Sequence, residues 1–342
     1  MVILSVIVST RNRGEYLKDT LVSIKNQEFP EEQYEILLID NGSTDNTKEI
    51  VKTLNDSGGK KIAYFYEEKP GLHHARHRGA KESKGEILVY TDDDIIAERR
   101  WLCEVLNSFQ KEEIALVGGK ILPQWEAPVP DWIDLFWETG DEGRYLVALS
   151  LLDLGDKPKI IPPRYVWGCN FALRKVILYE CGGFHPDALP EELICYRGDG
   201  ESGLTESVFR RGYKIFYNPL AVVYHRIPPE RMTIEYFCKR AFNQGISDSY
   251  TAIRNRLLSG NKRLPKKKEG FAAAGIKMVI SRFKEIISQR NIRQMQNRVS
   301  EYAVIKDLVE KSWRKGVKYH RLCLRRKKEL LSYVMKKDYF NL

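Results

Sequence analysis

The feature that most constrains this chain is a repeat of apolar strands and amphipathic helices over its first 120 residues. Residues 3–8, 34–39, 62–66, 86–91 and 114–118 read as strands that are apolar almost throughout. Between them, residues 16–26 carry Leu17, Leu21 and Ile24 at helical spacing, and residues 45–54 carry Ile50, Val51 and Leu54. Residues 74–83 and 101–109 read as two further helices. Strands without polar alternation are buried on both faces, which predicts a parallel sheet covered by helices. Ligands of such sheets sit beyond the carboxyl ends of the strands. Thr10-Arg11-Asn12, Asp40-Asn41-Gly42 and Asp92-Asp93-Asp94 all fall at those ends.

The three aspartates are the sharpest chemical signal. Strand alternation predicts that Asp92 and Asp94 point to the same side of the sheet. Packed like charges need a cation, a proton or a hydrogen-bond network to compensate them. Mg²⁺ or Mn²⁺, bound by oxygen ligands together with substrate phosphates, is the natural compensation. A solvated acidic turn or a helix N-cap cluster is the alternative reading.

Order weakens over residues 123–163, which read as a long excursion or lid. It returns with a strand at 165–172, a helix near 175–181, a helix at 204–211 and a strand pair at 214–217 and 221–224. After Pro229 the chain turns helical and basic. From Lys239 to Leu342 it holds 27 Lys and Arg against 8 Asp and Glu, a net of +19, whereas the preceding residues carry a net of −9. Such asymmetry points the tail at something anionic, or makes it a solvated helical surface. Basic amphipathic helices are expected over 271–287, 302–313 and 322–334. They can pack on the domain, on a partner or on anionic lipid. Six scattered cysteines form no CxxC, which fits reduced thiols and argues against zinc. The apolar N-terminus is too short for a signal peptide, and no apolar run reaches the roughly 18 residues of a membrane span.

Four motifs carry a family resemblance: Val6-Ile7-Val8-Ser9-Thr10-Arg11-Asn12-Arg13, Leu38-Ile39-Asp40-Asn41-Gly42-Ser43-Thr44-Asp45, Ala75-Arg76-His77-Arg78-Gly79-Ala80 and Thr91-Asp92-Asp93-Asp94. In this order the chain resembles family 2 glycosyltransferases over roughly residues 2–228. The resemblance implies a GT-A fold, inverting chemistry and a nucleotide-sugar donor. The expected fold class is therefore α/β, a mixed, mostly parallel sheet flanked by helices with a basic helical extension. The expected division is a glycosyltransferase domain at 1–228 (nucleotide half 1–120, acceptor half 121–228) and a basic region at 229–342.

The resemblance also implies roles. Asp94 is the direct ligand of Mn²⁺ or Mg²⁺, Asp92 binds ribose or metal-bound water, and His225 is a further ligand. Thr10, Arg11, Asn12, Arg13, Asp40, Arg76, Gly79, Asp92 and Asp93 surround the nucleotide. Asp40 would accept the imide N–H of uracil or thymine, although an Asx-turn into Asn41-Gly42 explains it equally. A sugar hydroxyl needs a base. In Gly198-Asp199-Gly200-Glu201-Ser202-Gly203-Leu204, counting back from Leu204 gives Glu201 that role and makes Asp199 a helper, with the roles exchangeable. Gly200 stands where the family carries Glu, a departure from its pattern. Trp167, Gly168 and Asn170 are expected near the donor sugar or acceptor, and Trp132 could also stack on a sugar.

The expected activity is transfer of a sugar from a UDP- or dTDP-linked donor to a hydroxyl of a glycan or lipid-linked acceptor. A non-catalytic nucleotide-sugar-binding or basic interaction module is the alternative. A nucleotidyltransferase would need a Gly-rich loop with Lys after the first strand, which Thr10-Arg11-Asn12-Arg13-Gly14 lacks. A processive synthase would need membrane spans and a Gln-x-x-Arg-Trp segment. No nucleic-acid partner is expected. The expected location is cytoplasmic, with a peripheral contact on the inner face of an anionic membrane.

Overall fold

The computed structural model describes residues 1–259 and 292–340. Its first half alternates β1 (Leu4–Thr10), α1 (Gly14–Lys25), β2 (Tyr34–Asp40), α2 (Thr47–Asp56), β3 (Ile62–Tyr66), α3 (Leu72–Glu82) and β4 (Ile87–Thr91). Strands β1 to β4 are parallel, in the spatial order β3-β2-β1-β4. The order reverses at β1, so a crevice opens there beyond the strand ends, where such sheets take ligands. Helices cover both faces because β1, β2 and β4 are buried along nearly their whole length.

After β5 (Ile95–Ala97) and α4 (Trp101–Asn107), the sheet becomes mixed. β6 (Ile114–Trp125) runs well past residue 118, the expected end. β7 (Glu138–Gly140), β8 (Gly143–Leu146) and β9 (Leu151–Asp153) form an antiparallel meander on its edge, followed by β10 (Lys159–Ile160). The expected excursion is thus partly sheet. Its strands are too short to show a period. The expected strand at 165–172 is instead a turn followed by β11 (Phe171–Arg174), antiparallel to β4 and β6. α5 (Lys175–Glu180) and α6 (Glu201–Arg210) follow. The expected strand pair is one strand, β12 (Lys214–Ile227), whose register slips between Asn218 and Val222. That bulge absorbs the break the sequence suggested.

α7 (Ile234–Leu258) packs along α8 (Ile292–Arg326), and α9 (Lys328–Val334) closes the chain. Gly245 and Gly316 let α7 and α8 touch: a Cβ on either would lie about 2 Å from a backbone oxygen of the facing helix, Trp313 O or Phe242 O. Met232, Phe237 and Val309 belong to the same apolar core as β1 and β2. The chain end returns to the sheet domain, where Tyr339 N donates to Gly182 O at 2.9 Å just after α5 and Phe340 stacks on His77 of α3. The cut expected after residue 228 therefore does not follow the packing of the described residues. The amphipathic stretch expected at 271–287 lies outside them. No helix among them is long and apolar enough to cross a membrane.

Candidate active site

The ends of β1, β2 and β4 converge on the crevice. Asp94 lies past the end of β4, almost fully buried, and three cationic or basic side chains surround it. Arg13 NH2 is 2.6 Å from its Oδ2, Arg231 donates to the same oxygen, and His225 Nε2 lies 3.3 Å from Oδ1. Burial alone would raise this carboxyl, but His225 when protonated, with Arg231 and Arg13, outweighs it and holds Asp94 well below the usual carboxylate range. Asp94 Oδ1 is buried without a hydrogen-bond partner. His225 Nδ1 contacts Leu149 O at 2.9 Å, and Nε2 contacts Arg231 NH1 at 2.8 Å. A carbonyl and a guanidinium fix the tautomer: Nδ1–H donates, and the Nε2 lone pair accepts.

These two atoms test whether a divalent ion fits. A ligating imidazole needs its far nitrogen tied to an acceptor and its near nitrogen unprotonated; His225 has both, with Arg231 NH1 as the donor an ion would displace from Nε2. A ligating carboxylate oxygen should have no competing donor, as at Asp94 Oδ1. Their separation is close to the roughly 3 Å edge between neighbouring ligands of an octahedral ion with bonds of about 2.1 Å. Among the described residues no three His, Cys, Asp or Glu side chains converge. Among the described residues two side chains could serve as ligands here, and a hard ion of this kind would take the rest from phosphate and water.

β4 ends at Thr91, so the three aspartates lie in the turn that follows. Asp92 meets Arg76 NH2 at 3.6 Å with its side chain 36% exposed, whereas Asp94 is 3% exposed and pairs with Arg13; both carboxylates act on Arg231. Asp93 has other partners. It accepts from Thr10 Oγ1 at 2.7 Å and pairs with Arg13 Nε at 2.9 Å, so Thr10 and Asp93 brace Arg13 from beneath. Burial and the neighbouring Asp94 raise Asp93 against the pull of Arg13.

On the nucleotide side, Asn12 adopts φ +53°, a left-handed conformation uncommon outside glycine. Its Oδ1 accepts from Thr44 N at 2.7 Å, and its own N–H donates to Ser43 Oγ, which ties the β1 and β2 loops together. Asp40 accepts from Ser43 N and from Tyr64 O–H, each at 2.7 Å. The turn contact is therefore real, and the carboxylate stays at the crevice. Arg11 is exposed. Asp45 accepts from Thr47 N at the start of α2 and from Gly14 N at the start of α1. At Gly79 a Cβ would sit 2.4 Å from Ile7 Cγ2, so this buried glycine seats α3 against β1.

Arg76 links the rim to the second half. Its buried guanidinium reaches Asp92, Glu201 Oε2 at 3.2 Å and Gly168 O at 3.1 Å. Burial alone would lower its pKa, but Glu201 and Asp92 reverse that and raise it. Gly168 N donates to Glu201 Oε1, and a Cβ on Gly168 would lie 2.4 Å from Arg76 NH2. Only glycine allows this contact. Glu201 opens α6 with its side chain 21% exposed, on a cavity of about 1240 Å³ that Trp167 also lines. Asp199 lines this cavity too, but both its oxygens are engaged: His185 Nδ1 at 2.5 Å and Thr251 Oγ1 at 2.5 Å. These contacts brace the start of α6 against α7. Burial would raise the pKa of Asp199, yet His185 and Thr251 lower it. Asn170 is likewise structural. It accepts from Trp101 Nε1 and donates to Lys120 O and Ala221 O, all at 2.9 Å, clasping β6 and β12. Trp132 packs edge-on against Phe136 and Phe237.

Sequence reasoning missed Arg231 and His185. Arg231 lies six residues past His225, and no local pattern marks it. Its contact with Asp94 spans 137 residues.

A mixed, mostly parallel sheet with acidic side chains at its rim and flanking helices is the GT-A architecture. Comparison with known proteins agrees. The family description "Glycosyl transferase family 2" matches residues 5–181, and the chain belongs to that family. It is an enzyme that uses a nucleotide-sugar donor. It is 32% identical over 117 residues to glycosyltransferase AglE of Haloferax volcanii, covering 34% of this chain and 38% of that protein. It is 22% identical over 310 residues to the glucosyl-dolichyl phosphate glucuronosyltransferase of the same organism, covering 86% and 90%. The fold resembles that of a mannosyltransferase from Pyrobaculum calidifontis solved with GDP-Man and Mn²⁺, with TM-score 0.54 and 17% identity, covering 97% of this chain and 85% of that one.

Proposed function

We propose that the protein is an inverting, metal-dependent glycosyltransferase that moves a sugar from a UDP- or dTDP-linked donor to a hydroxyl of a glycan or lipid-linked acceptor. The observation that carries this reading is the buried, partnerless Asp94 Oδ1 beside the His225 Nε2 lone pair. Asp94 and His225 would hold Mn²⁺ or Mg²⁺, and imidazole favours Mn²⁺. Bound there, the ion supplies Lewis-acid shielding for the charge that develops on the departing diphosphate.

The chain's own residues do the rest. Arg13 and Arg231 add guanidinium charge at the same rim. Asp40, held by Ser43 and Tyr64, accepts the imide N–H of the base. Glu201 accepts the proton of the acceptor hydroxyl as attack develops, because its side chain is 21% exposed on the cavity whereas that of Asp199 is 7% exposed. Arg76 orients Glu201 and couples it to Asp92. A single displacement by a hydroxyl on the face opposite the leaving group inverts the anomeric centre. Residues 1–228 carry the reacting groups, and the basic region from 229 contributes Arg231 and contacts an anionic bilayer. The names of relatives that act on dolichyl phosphate-linked sugars support a lipid-linked acceptor.

The test is a panel of nucleotide sugars assayed for transfer and hydrolysis with Mn²⁺, Mg²⁺ or EDTA, followed by NMR of the product's anomeric proton. Metal-stimulated turnover with an inverted anomer is expected. Turnover unaffected by EDTA, or a retained anomer, would overturn the reading.

A further inference from the structure

Arg231 competes with an ion for the same two side chains. Its NH2 donates to Asp94 Oδ2, and its NH1 meets His225 Nε2 at 2.8 Å. One guanidinium thus bridges the carboxylate and the imidazole that would ligate Mn²⁺ or Mg²⁺. The conflict is sharpest at His225. Its Nε2 has one lone pair, and Arg231 NH1 and a metal ion cannot both take it. Asp94 differs, because Arg231 and Arg13 both use Oδ2 and leave Oδ1 without a donor. Coordination by His225 therefore requires Arg231 to give up Nε2.

Charge points the same way. Arg13 and Arg231 set two guanidinium groups against Asp94, and Asp93 is claimed by Arg13. A divalent ion entering alone meets both cations at close range, with one buried carboxylate to hold it. A diphosphate removes both obstacles. It supplies anionic oxygens to the ion and a fork-shaped acceptor to a displaced guanidinium. Arg231 can make the exchange with its side chain alone. Its main chain is pinned in the turn Pro229–Met232, where Arg231 N donates to Pro228 O at 3.0 Å and Met232 is buried in the core.

We propose that Arg231 holds the ion's place on Asp94 and His225 and passes to the donor's diphosphate as the ion enters, so that ion and nucleotide bind as a pair. The proposal rests on the metal reading above and deepens it. It makes Arg231 the residue that couples the two ligands.

The experiment is calorimetric titration of the full chain with Mn²⁺, without and with UDP, for the wild type, R231M and R231K. Without UDP, R231M should bind Mn²⁺ about tenfold or more tightly than the wild type, since no charge-assisted hydrogen bond then has to be broken. R231K keeps the charge but cannot bridge both side chains, so it should gain less. Misfolding does not produce a gain in affinity. The factor by which UDP strengthens Mn²⁺ binding should shrink by about tenfold or more in R231M, and by linkage so should the factor by which Mn²⁺ strengthens UDP binding. In EDTA, UDP should bind the wild type and R231M alike, because Arg231 then stays on Asp94 and His225. No gain in Mn²⁺ affinity in either variant, an undiminished UDP factor in R231M, or weaker UDP binding by R231M in EDTA overturns the proposal. H225Q separates these results from failure of the metal reading. If H225Q leaves Mn²⁺ binding in the presence of UDP unchanged, the ion is not at this site and the metal reading fails. If H225Q weakens that binding while R231M behaves as the wild type, only the role of Arg231 falls.

Discussion

The rim of the parallel sheet and the start of α6 each carry a pair of acids, and the two pairs are handled in opposite ways. At the rim, Asp93 is braced from below by Thr10 and Arg13 while Asp94 keeps one buried oxygen without a hydrogen bond. At α6, Asp199 is locked by His185 and Thr251 while Glu201 stays partly open on the cavity. In each pair one acid is scaffold and its neighbour has spare capacity. Proximity in sequence therefore says little about which carboxylate reacts. At α6 the difference is exposure rather than hydrogen bonding, since Glu201 also meets Arg76 and Gly168 N but its side chain is 21% exposed against 7% for Asp199.

Four substitutions and a pH series break or sharpen that contrast. The largest effect should come from Asp94→Asn. Loss of metal shielding should lower kcat by about 10³-fold or more. The variant also leaves Arg13, Arg231 and His225 without their shared anion, so thermal unfolding should show a lower Tm. Next is Glu201→Gln, where kcat should fall by about 10²–10⁴-fold while the affinity for UDP with Mn²⁺ persists. Asp199→Asn should behave differently from its neighbour. It should cost about 1.5–3 kcal/mol in urea unfolding and leave kcat per folded molecule nearly unchanged. If Asp199→Asn is dead and Glu201→Gln active, the roles in the α6 pair are reversed.

Gly79→Ala should cost about 1–3 kcal/mol, because its methyl group meets Ile7, with nucleotide affinity preserved. Weakened nucleotide binding without loss of stability would restore Gly79 to the diphosphate site. The smallest effect is a pH slope away from either acid pair. Burial depresses His73 to about 3 and His320 to about 4. Both bind protons more readily when unfolded, so their contribution is fully present above pH about 6.5 and is lost as pH falls toward 4. His320→Asn should flatten the fall in Tm over that window. An unchanged slope would remove His320 as a source.

How much of this was legible in the sequence differs between the same two regions. The rim was legible because β1, β2 and β4 are apolar on both faces and their ends carry the motifs directly. Asp94, His225, Asn12 and Asp40 all lie at the crevice the strand pattern implies. The second half was less so. The strands β7 to β10 are two to four residues long, too short for any period. The bulge in β12 looked like a break between two strands. Glu201 and Asp199 could not be told apart, because the side chains that separate them, Arg76, His185 and Thr251, lie 125, 14 and 52 residues away. Gly79 and Asn170 sit in motif-like company but serve packing, and only the third dimension reveals what they touch. Arg231 was hidden for the same reason, within a basic stretch that reads as surface.

The central claim is that Asp94 and His225 hold a divalent ion beside the donor's diphosphate. The most direct measurement is the free Mn²⁺ signal by electron paramagnetic resonance, titrated with protein in the presence and absence of UDP. For the wild type, protein and UDP together should quench the signal more strongly than either alone, and Asp94→Asn and His225→Gln should each weaken that quenching. Equal quenching by Asp94→Asn and the wild type would place the ion elsewhere and contradict the account.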